Sequence, residues 1–165
     1  MLYSDVFREL ARRKARYLVV GGFAVNLLGA ARLSMDLDIM VDLAPDNMAG
    51  LVAAMESLGF VPRQPVETAD LLSPMKREEW IREKRAVVFS FVDDGFRSVD
   101  VFLKNPVDFE AAYQGRVMFE MDGAPVACAS AGDIITMKRI AGRPRDLEDI
   151  AHLEKLRDKE GRHGA

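Results

Sequence analysis

Cysteine is nearly absent. Cys128 is the only one in 165 residues, so no intramolecular disulfide can form and no thiolate cluster can hold a metal. Histidine occurs twice, at His152 and His163, neither with a partner at metal-ligand spacing. Long apolar runs are missing too: no stretch approaches the ~20 residues needed to span a bilayer. Asp5, Arg8 and Glu9 interrupt the opening MLYSDVFREL before it can make a signal-peptide core. Nor is there an excess of positive charge. The formal net charge is -3, so any hold on a nucleotide or nucleic acid must come from local cations. These absences lead to the expectation of a soluble protein in a reducing, cytoplasmic setting, with no membrane partner.

What is present suits one globular unit. Apolar residues make up 49% and charged residues 30% of the chain, both ordinary values. The length fits a single domain over residues 1–165, with its core at about 17–155.

Periodicity supplies the elements. Ser4 and Asp5 suit a helix start, and Val6, Phe7, Leu10 and Ala11 fall on one face behind it. Arg8, Arg12, Arg13, Lys14 and Arg16 form a basic cluster, read either as a solvated face or as an RNA contact. Tyr17–Val20 predicts a strand, cut off by Gly21-Gly22 and followed by a helix over Phe23–Leu28. Met35–Leu43 alternates: Leu37, Ile39, Val41 and Leu43 point one way, and Asp36, Asp38, Met40 and Asp42 the other. Pro45 opens a helix that Gly59 closes. Residues 62–75, with three prolines, read as irregular, and Lys76–Arg85 as either a short exposed helix or an edge element. Two hairpins follow, Ala86–Val92 with Ser98–Leu103 and Val117–Met121 with Ala124–Ala127. Helices over Ala131–Ala141 and Leu147–Leu156 end the pattern, with polar, frayed residues from Arg157 onward.

Three features carry chemistry. Gly21-Gly22 lies at a strand-to-helix turn, read either as a plain tight turn or as a place where backbone approaches a phosphate. No Gly-Lys-Ser/Thr follows and the glycines are not spaced as a dinucleotide fingerprint. Asp36 and Asp38 share one side of a strand, about 6.6 Å apart, an arrangement that repels itself unless a hard divalent cation intervenes. Asp100 lies within Ser98-Val99-Asp100-Val101-Phe102, a carboxylate in the middle of an apolar strand, and offers a third ligand. Shared carboxylates of this kind hold the metals of in-line nucleotidyl transfer.

The run Val19-Val20-Gly21-Gly22-Phe23-Ala24-Val25, with Gly29, Arg32, Ser34 and Asp36-Leu37-Asp38-Ile39, resembles the first motif of the nucleotidyltransferase (DNA polymerase β-like) superfamily. Within it the likeness is to small bacterial proteins related to AbiEii-type abortive-infection toxins and their minimal relatives. Asp133-Ile134-Ile135-Thr136-Met137-Lys138-Arg139-Ile140-Ala141, then Arg143-Pro144-Arg145-Asp146-Leu147-Glu148-Asp149-Ile150, is similar to that group's later motifs. Gly22 stands where many nucleotidyltransferases carry serine, and Ser34 where relatives often carry threonine.

The resemblance implies an α/β (α+β) nucleotidyltransferase fold, a mixed β-sheet flanked by helices with a small helical end. It implies a magnesium- or manganese-dependent enzyme that moves a nucleoside monophosphate from a nucleoside triphosphate to a hydroxyl. Asp36, Asp38 and Asp100 would be catalytic and hold the metals, with Asp100 helping to deprotonate the acceptor. Gly21, Gly22, Ser34 and Lys138 would bind the nucleotide. Lys138 is expected at an exposed helical position, free to meet the triphosphate. Arg32, Arg143, Arg145, Asp146 and Asp149 would orient Lys138 or frame the acceptor. The acceptor would be RNA, tRNA included, or protein, in a toxin–antitoxin setting with a cognate partner. Two other functions compete: a non-catalytic binding protein such as an antitoxin or regulatory subunit, and a small-molecule (antibiotic) nucleotidyltransferase.

Overall fold

A continuous apolar strand placed at the middle of a sheet organises the rest. All four residues of β1 (Tyr17–Val20) are buried, as expected of a strand covered on both faces. In the computed structural model, which describes residues 2–164, this strand is flanked by β2 (Leu37–Val41) and by β7 (Ala124–Cys128). The other strands are β3 (Val61–Pro62), β4 (Val88–Val92), β5 (Ser98–Phe102) and β6 (Val117–Met121). Their order across the seven-stranded sheet is β3-β4-β5-β2-β1-β7-β6.

The sheet is mixed. β1 runs antiparallel to β2 and parallel to β7, while β2 runs parallel to β5. Two antiparallel hairpins, β4–β5 and β6–β7, complete the two sides. Both hairpins were expected from their Asp-Asp-Gly and Asp-Gly turns, although β4 starts two residues late, at Val88.

The helices are α1 (Ser4–Arg12), α2 (Gly21–Leu27), α3 (Pro45–Ser57), α4 (Pro74–Lys84), α5 (Phe109–Gln114), α6 (Ala131–Ala141) and α7 (Leu147–His163). α1 buries Val6, Phe7 and Leu10, the predicted face, against β7 and α3. α2 packs on β1, β2 and α6, and α6 pairs with α7. The undecided stretch at 76–85 is helix α4. Pro74 starts it, the Ser73 hydroxyl accepts from the Lys76 N–H, and Trp80 stacks at a tilt on Phe89. The irregular stretch before it holds β3 and a 3₁₀ turn at Thr68–Leu72.

Two expectations about length need correction. The second strand starts at Leu37 rather than Met35, so Asp36 lies one residue ahead of it. β5 supplies a ladder partner only from Val99, opposite Leu37. The last helix does not fray at Arg157 but continues to His163. Its extra turns are rich in Arg, Lys and Glu, good helix formers that need no burial. Among the described residues, no helix is long and apolar enough to cross a membrane.

Candidate functional site

The site lies where β1, β2 and β5 begin or end together. In the parallel ladder of β2 and β5, Asp38 is the register partner of Asp100. On the other side, Val20, the last residue of β1, is the partner of Asp38. The expected acidic face of β2 is therefore short. Met40 is fully buried, and Asp42 accepts from the Arg16 guanidinium at 2.6 Å. Asp36, Asp38 and Asp100 reach a cleft of about 700 Å³, whose walls also include Gly21, Gly22, Ser34, Lys138, Arg143 and Asp146.

The glycine pair is required by close approach. Gly21 has φ +66°, and a Cβ there would lie 2.3 Å from Asp38 Oδ2. At Gly22 a Cβ would come within 2.9 Å of Ser34 Oγ and 3.4 Å of Arg32 Nε. A side chain at either position would fill space that Asp38 and the 30–36 loop already occupy. That loop is anchored by the Arg32 N–H, which donates to Asn26 Oδ1 at 2.9 Å.

Electrostatics divides the cleft. On the sheet side, burial, then Asp100 and Asp36, push the Asp38 carboxyl up to about 7, with Arg143 and Lys138 acting the other way. Asp100 Oδ1 accepts from Ser98 Oγ at 3.2 Å, and Ser98 Oγ accepts from Arg63 Nη2 at 3.0 Å. Neither Ser98 nor Arg63 was expected at the site. Ser98 could have been found, since it precedes Asp100 by two residues on the same strand face.

The opposite wall carries a buried charge cluster. Lys138 Nζ lies 2.9 Å from both Asp146 Oδ1 and Asp149 Oδ2. Arg143 Nε donates to Asp146 Oδ2 at 2.8 Å, and Arg32 pairs with Asp149. Three cations thus surround two carboxylates. Burial pushes the Asp146 carboxyl up, but Arg143 and Lys138 outweigh it and hold it below the usual carboxylate range. Burial draws the Lys138 ammonium down, and Asp146 partly restores it.

The expectation that Lys138 is exposed is overturned: its side chain is 5% accessible. Ile140 on the same helix is exposed instead, and Lys138 turns toward α7. Arg145, by contrast, is exposed on the cleft wall and has no hydrogen-bonded or ion-paired partner among the described residues. The N-terminal basic cluster lies elsewhere and is largely neutralised. Glu9 takes Arg12 and Arg13 at 2.6 and 2.7 Å, and Arg16 lies between Asp42 and Glu110.

Among the described residues, no three His, Cys, Asp or Glu side chains stand close enough as placed to grip an ion. Asp36, Asp38 and Asp100 instead make an open acidic wall, with Asp36 exposed just ahead of its strand. The donor set still fits a hard divalent cation. It offers carboxylate oxygens only, and a cation would offset both the burial that chiefly lifts Asp38 and the Asp100 and Asp36 charges that add to it.

Known proteins share this architecture. The chain superposes on ANT(2'')-Ia, solved in complex with adenylyl-2''-tobramycin, with a TM-score of 0.57 at 18% identity, covering 99% of this chain and 97% of that one. It superposes on the lincosamide antibiotic adenylyltransferase LnuA, lincomycin-bound, with a TM-score of 0.54 at 14% identity, over 89% and 90% of the two chains. A putative nucleotidyltransferase from Thermotoga maritima gives 0.56 at 15% identity, over 93% and 89%. At these identities the likeness establishes the nucleotidyltransferase fold. No curated protein matches the chain significantly by sequence. The sequence profile of the nucleotidyl transferase AbiEii toxins, of the type IV toxin–antitoxin systems, matches residues 6–162. That match takes in both walls of the cleft and nearly all of the chain: this protein belongs to the AbiEii nucleotidyltransferase family and is a nucleotidyltransferase.

Proposed function

We propose that the cleft transfers a nucleoside monophosphate from a nucleoside triphosphate to an acceptor hydroxyl, with Asp36, Asp38 and Asp100 holding magnesium or manganese. One observation carries this reading: Asp38 and Asp100 stand side by side in register beneath a glycine turn that has no room for side chains. Like charges directly opposed on neighbouring strands destabilise a fold, and a docking protein has no use for them. A divalent cation bound there would offset the charge of the triphosphate and of the departing pyrophosphate.

The chain's own groups supply the rest. The acceptor oxygen attacks the α-phosphorus while the bond from that phosphorus to the bridging oxygen breaks and pyrophosphate leaves. Asp100 accepts the hydroxyl proton, held in orientation by Ser98. Gly21 and Gly22 let the phosphates lie against backbone. Lys138 is already engaged by Asp146 and Asp149, so it fixes α7 against this wall. Arg143 and Arg145, more exposed, are left to meet phosphates.

RNA suits the acceptor better than protein. Arg145 is an unpartnered cation on the cleft wall, and a polyanion satisfies it. Transfer to RNA would fit a toxin paired with a cognate antitoxin. Transfer to a small molecule is a second reading, supported by the fold shared with two antibiotic-modifying enzymes.

The test is incubation with α-labelled nucleoside triphosphates, magnesium, cellular RNA, cellular protein and a panel of aminoglycosides and lincosamides. Label in RNA supports the main reading, and label in an antibiotic the second. No label in any acceptor, with metal and nucleotide bound, would move the function to a non-catalytic partner protein.

A further inference from the structure

Tyr3 lies outside the sequence run that defines the family, which starts at residue 6, yet it is completely buried beside the acidic wall. Its ring meets Phe23 of α2 edge-on at 5.8 Å. Its hydroxyl lies 2.7 Å from the Met35 carbonyl oxygen and 2.8 Å from the Ser98 carbonyl oxygen, and it accepts the Ser98 N–H at 3.1 Å. Burial is the main reason the phenol lies above its usual range, and Asp36 adds to it, so the proton stays on the oxygen.

Ladder geometry explains why a side chain is needed there. The Asp93 N–H donates to the Arg97 carbonyl at 3.2 Å. Alternation along an antiparallel pair then turns the Ser98 N–H and C=O away from β4 and toward β2. But β2 provides ladder partners only from Leu37, opposite Val99. A parallel ladder that opens with this pair uses the Ser98 carbonyl but leaves the Ser98 N–H without a strand partner, and the Tyr3 hydroxyl lies between that N–H and the Met35 carbonyl. Unpaired buried backbone groups are costly, and the Tyr3 hydroxyl fills the position that another strand residue would take.

We propose that Tyr3 is a positioning residue for the metal-binding carboxylates, its hydroxyl fixing the spacing between the segment that leads through Asp36 into Asp38 of β2 and the strand that carries Asp100. The anchors are close to the groups they control. Met35 immediately precedes Asp36, and Ser98 precedes Asp100 by two residues and donates to its carboxylate. Losing the hydroxyl frees both ends at once and lets like charges push the strands apart. A single phenol therefore ties together the two segments that carry the three carboxylates. This rests on the proposed metal role of Asp36, Asp38 and Asp100.

The test compares wild type, Tyr3→Phe and Phe7→Leu by manganese titration followed by electron paramagnetic resonance, without nucleotide. Phe7 belongs to the same aromatic cluster, stacking on Tyr17 and tilted against Phe23, but holds neither strand. Tyr3→Phe should bind manganese at least threefold more weakly than wild type, while Phe7→Leu, though less stable, should bind as wild type does. In transfer assays Tyr3→Phe should lower kcat more than it raises KM for the triphosphate. Equal manganese affinity in wild type and Tyr3→Phe overturns the assignment. No manganese binding by wild type overturns the metal reading beneath it, a different result. Should Tyr3→Phe not fold, hydrogen exchange on wild type decides. The Ser98 amide should exchange slowly and gain protection with magnesium, and exchange as fast as Gly95 in the hairpin tip would end the proposal.

Discussion

At Asp100 a carboxylate is held in the interior of a parallel ladder directly opposite Asp38. Neither residue favours a strand, and the pair raises the free energy of the folded chain until something positive joins it. Replacing Asp100 by Asn keeps the volume, removes one charge and removes the proton acceptor. Transfer should fall by at least about 100-fold, the scale of losing a main electrostatic element of a transition state. Triphosphate binding should persist, because Asp36, Asp38, Arg143 and Arg145 are unchanged. Both are measurable in one preparation, by single-turnover transfer and by nucleotide titration. Near-normal transfer would move the base and third ligand away from Asp100. Gly21 belongs to the same arrangement: with φ +66° and Asp38 Oδ2 at 2.3 Å from a notional Cβ, only glycine lets the backbone turn directly over the carboxylate.

Between elements, the clasp of α6 to α7 shows where local pattern and long-range packing diverge. The span of α6, Ala131–Ala141, is legible in the local pattern, and the helix has those bounds, with the Ser130 hydroxyl accepting from the Asp133 N–H at its start. Which of its faces is covered depends on α7, which brings Asp149 to Lys138, and no helical periodicity reveals that. In the same way the alternation from Met35 to Leu43 shows which side chains share a face. It cannot show that the partner strand begins at Val99, leaving Asp36 outside the ladder. Tyr3 is the extreme case: its hydroxyl reaches Ser98, 95 residues away, with nothing local to mark it. The burial of Lys138 also changes what its removal should do. Lys138→Met should destabilise the protein by about 2–3 kcal/mol, less than the ~3–5 kcal/mol of an ion left wholly unpaired, because Arg143 and Arg32 still hold the two carboxylates. Chemical denaturation checks this. An unchanged midpoint and slope would mean that the lysine is as free as its position in the sequence suggests.

Across the whole molecule, a chain of net charge -3 separates its charges into an acidic sheet edge and a cation-rich helical wall facing one cleft. The order of the acidic groups was readable, since Asp36, Asp38 and Asp100 depend on short-range alternation. Their closeness was not, because it is made by a parallel β2–β5 pairing across about sixty residues. Burial of Asp38, together with that closeness, sets a pH dependence whose sign can be worked out. The metal-free folded Asp38 titrates at about 7 against 3.8 for an unperturbed carboxyl. Between these values the folded state holds a proton that the unfolded state has lost, so stability without metal falls as pH rises through this window and stays low above it. A divalent cation competes with that proton, so it should bind poorly when Asp38 is protonated and well when it is ionised. The increase in Tm produced by saturating magnesium should therefore be small at about pH 5.5 and largest near about pH 8. Asp38→Asn should remove most of this dependence. In chelator at about pH 8 it should melt at least ~3 °C above wild type, since an uncharged side chain no longer opposes Asp100. At about pH 5.5 the gap should narrow to roughly half, because the folded Asp38 is then neutral while the unfolded chain has already lost the proton. Scanning calorimetry with and without magnesium at both pH values measures all four cases. A magnesium shift equal at the two pH values, or one retained in full by Asp38→Asn, would place the cation away from this carboxylate.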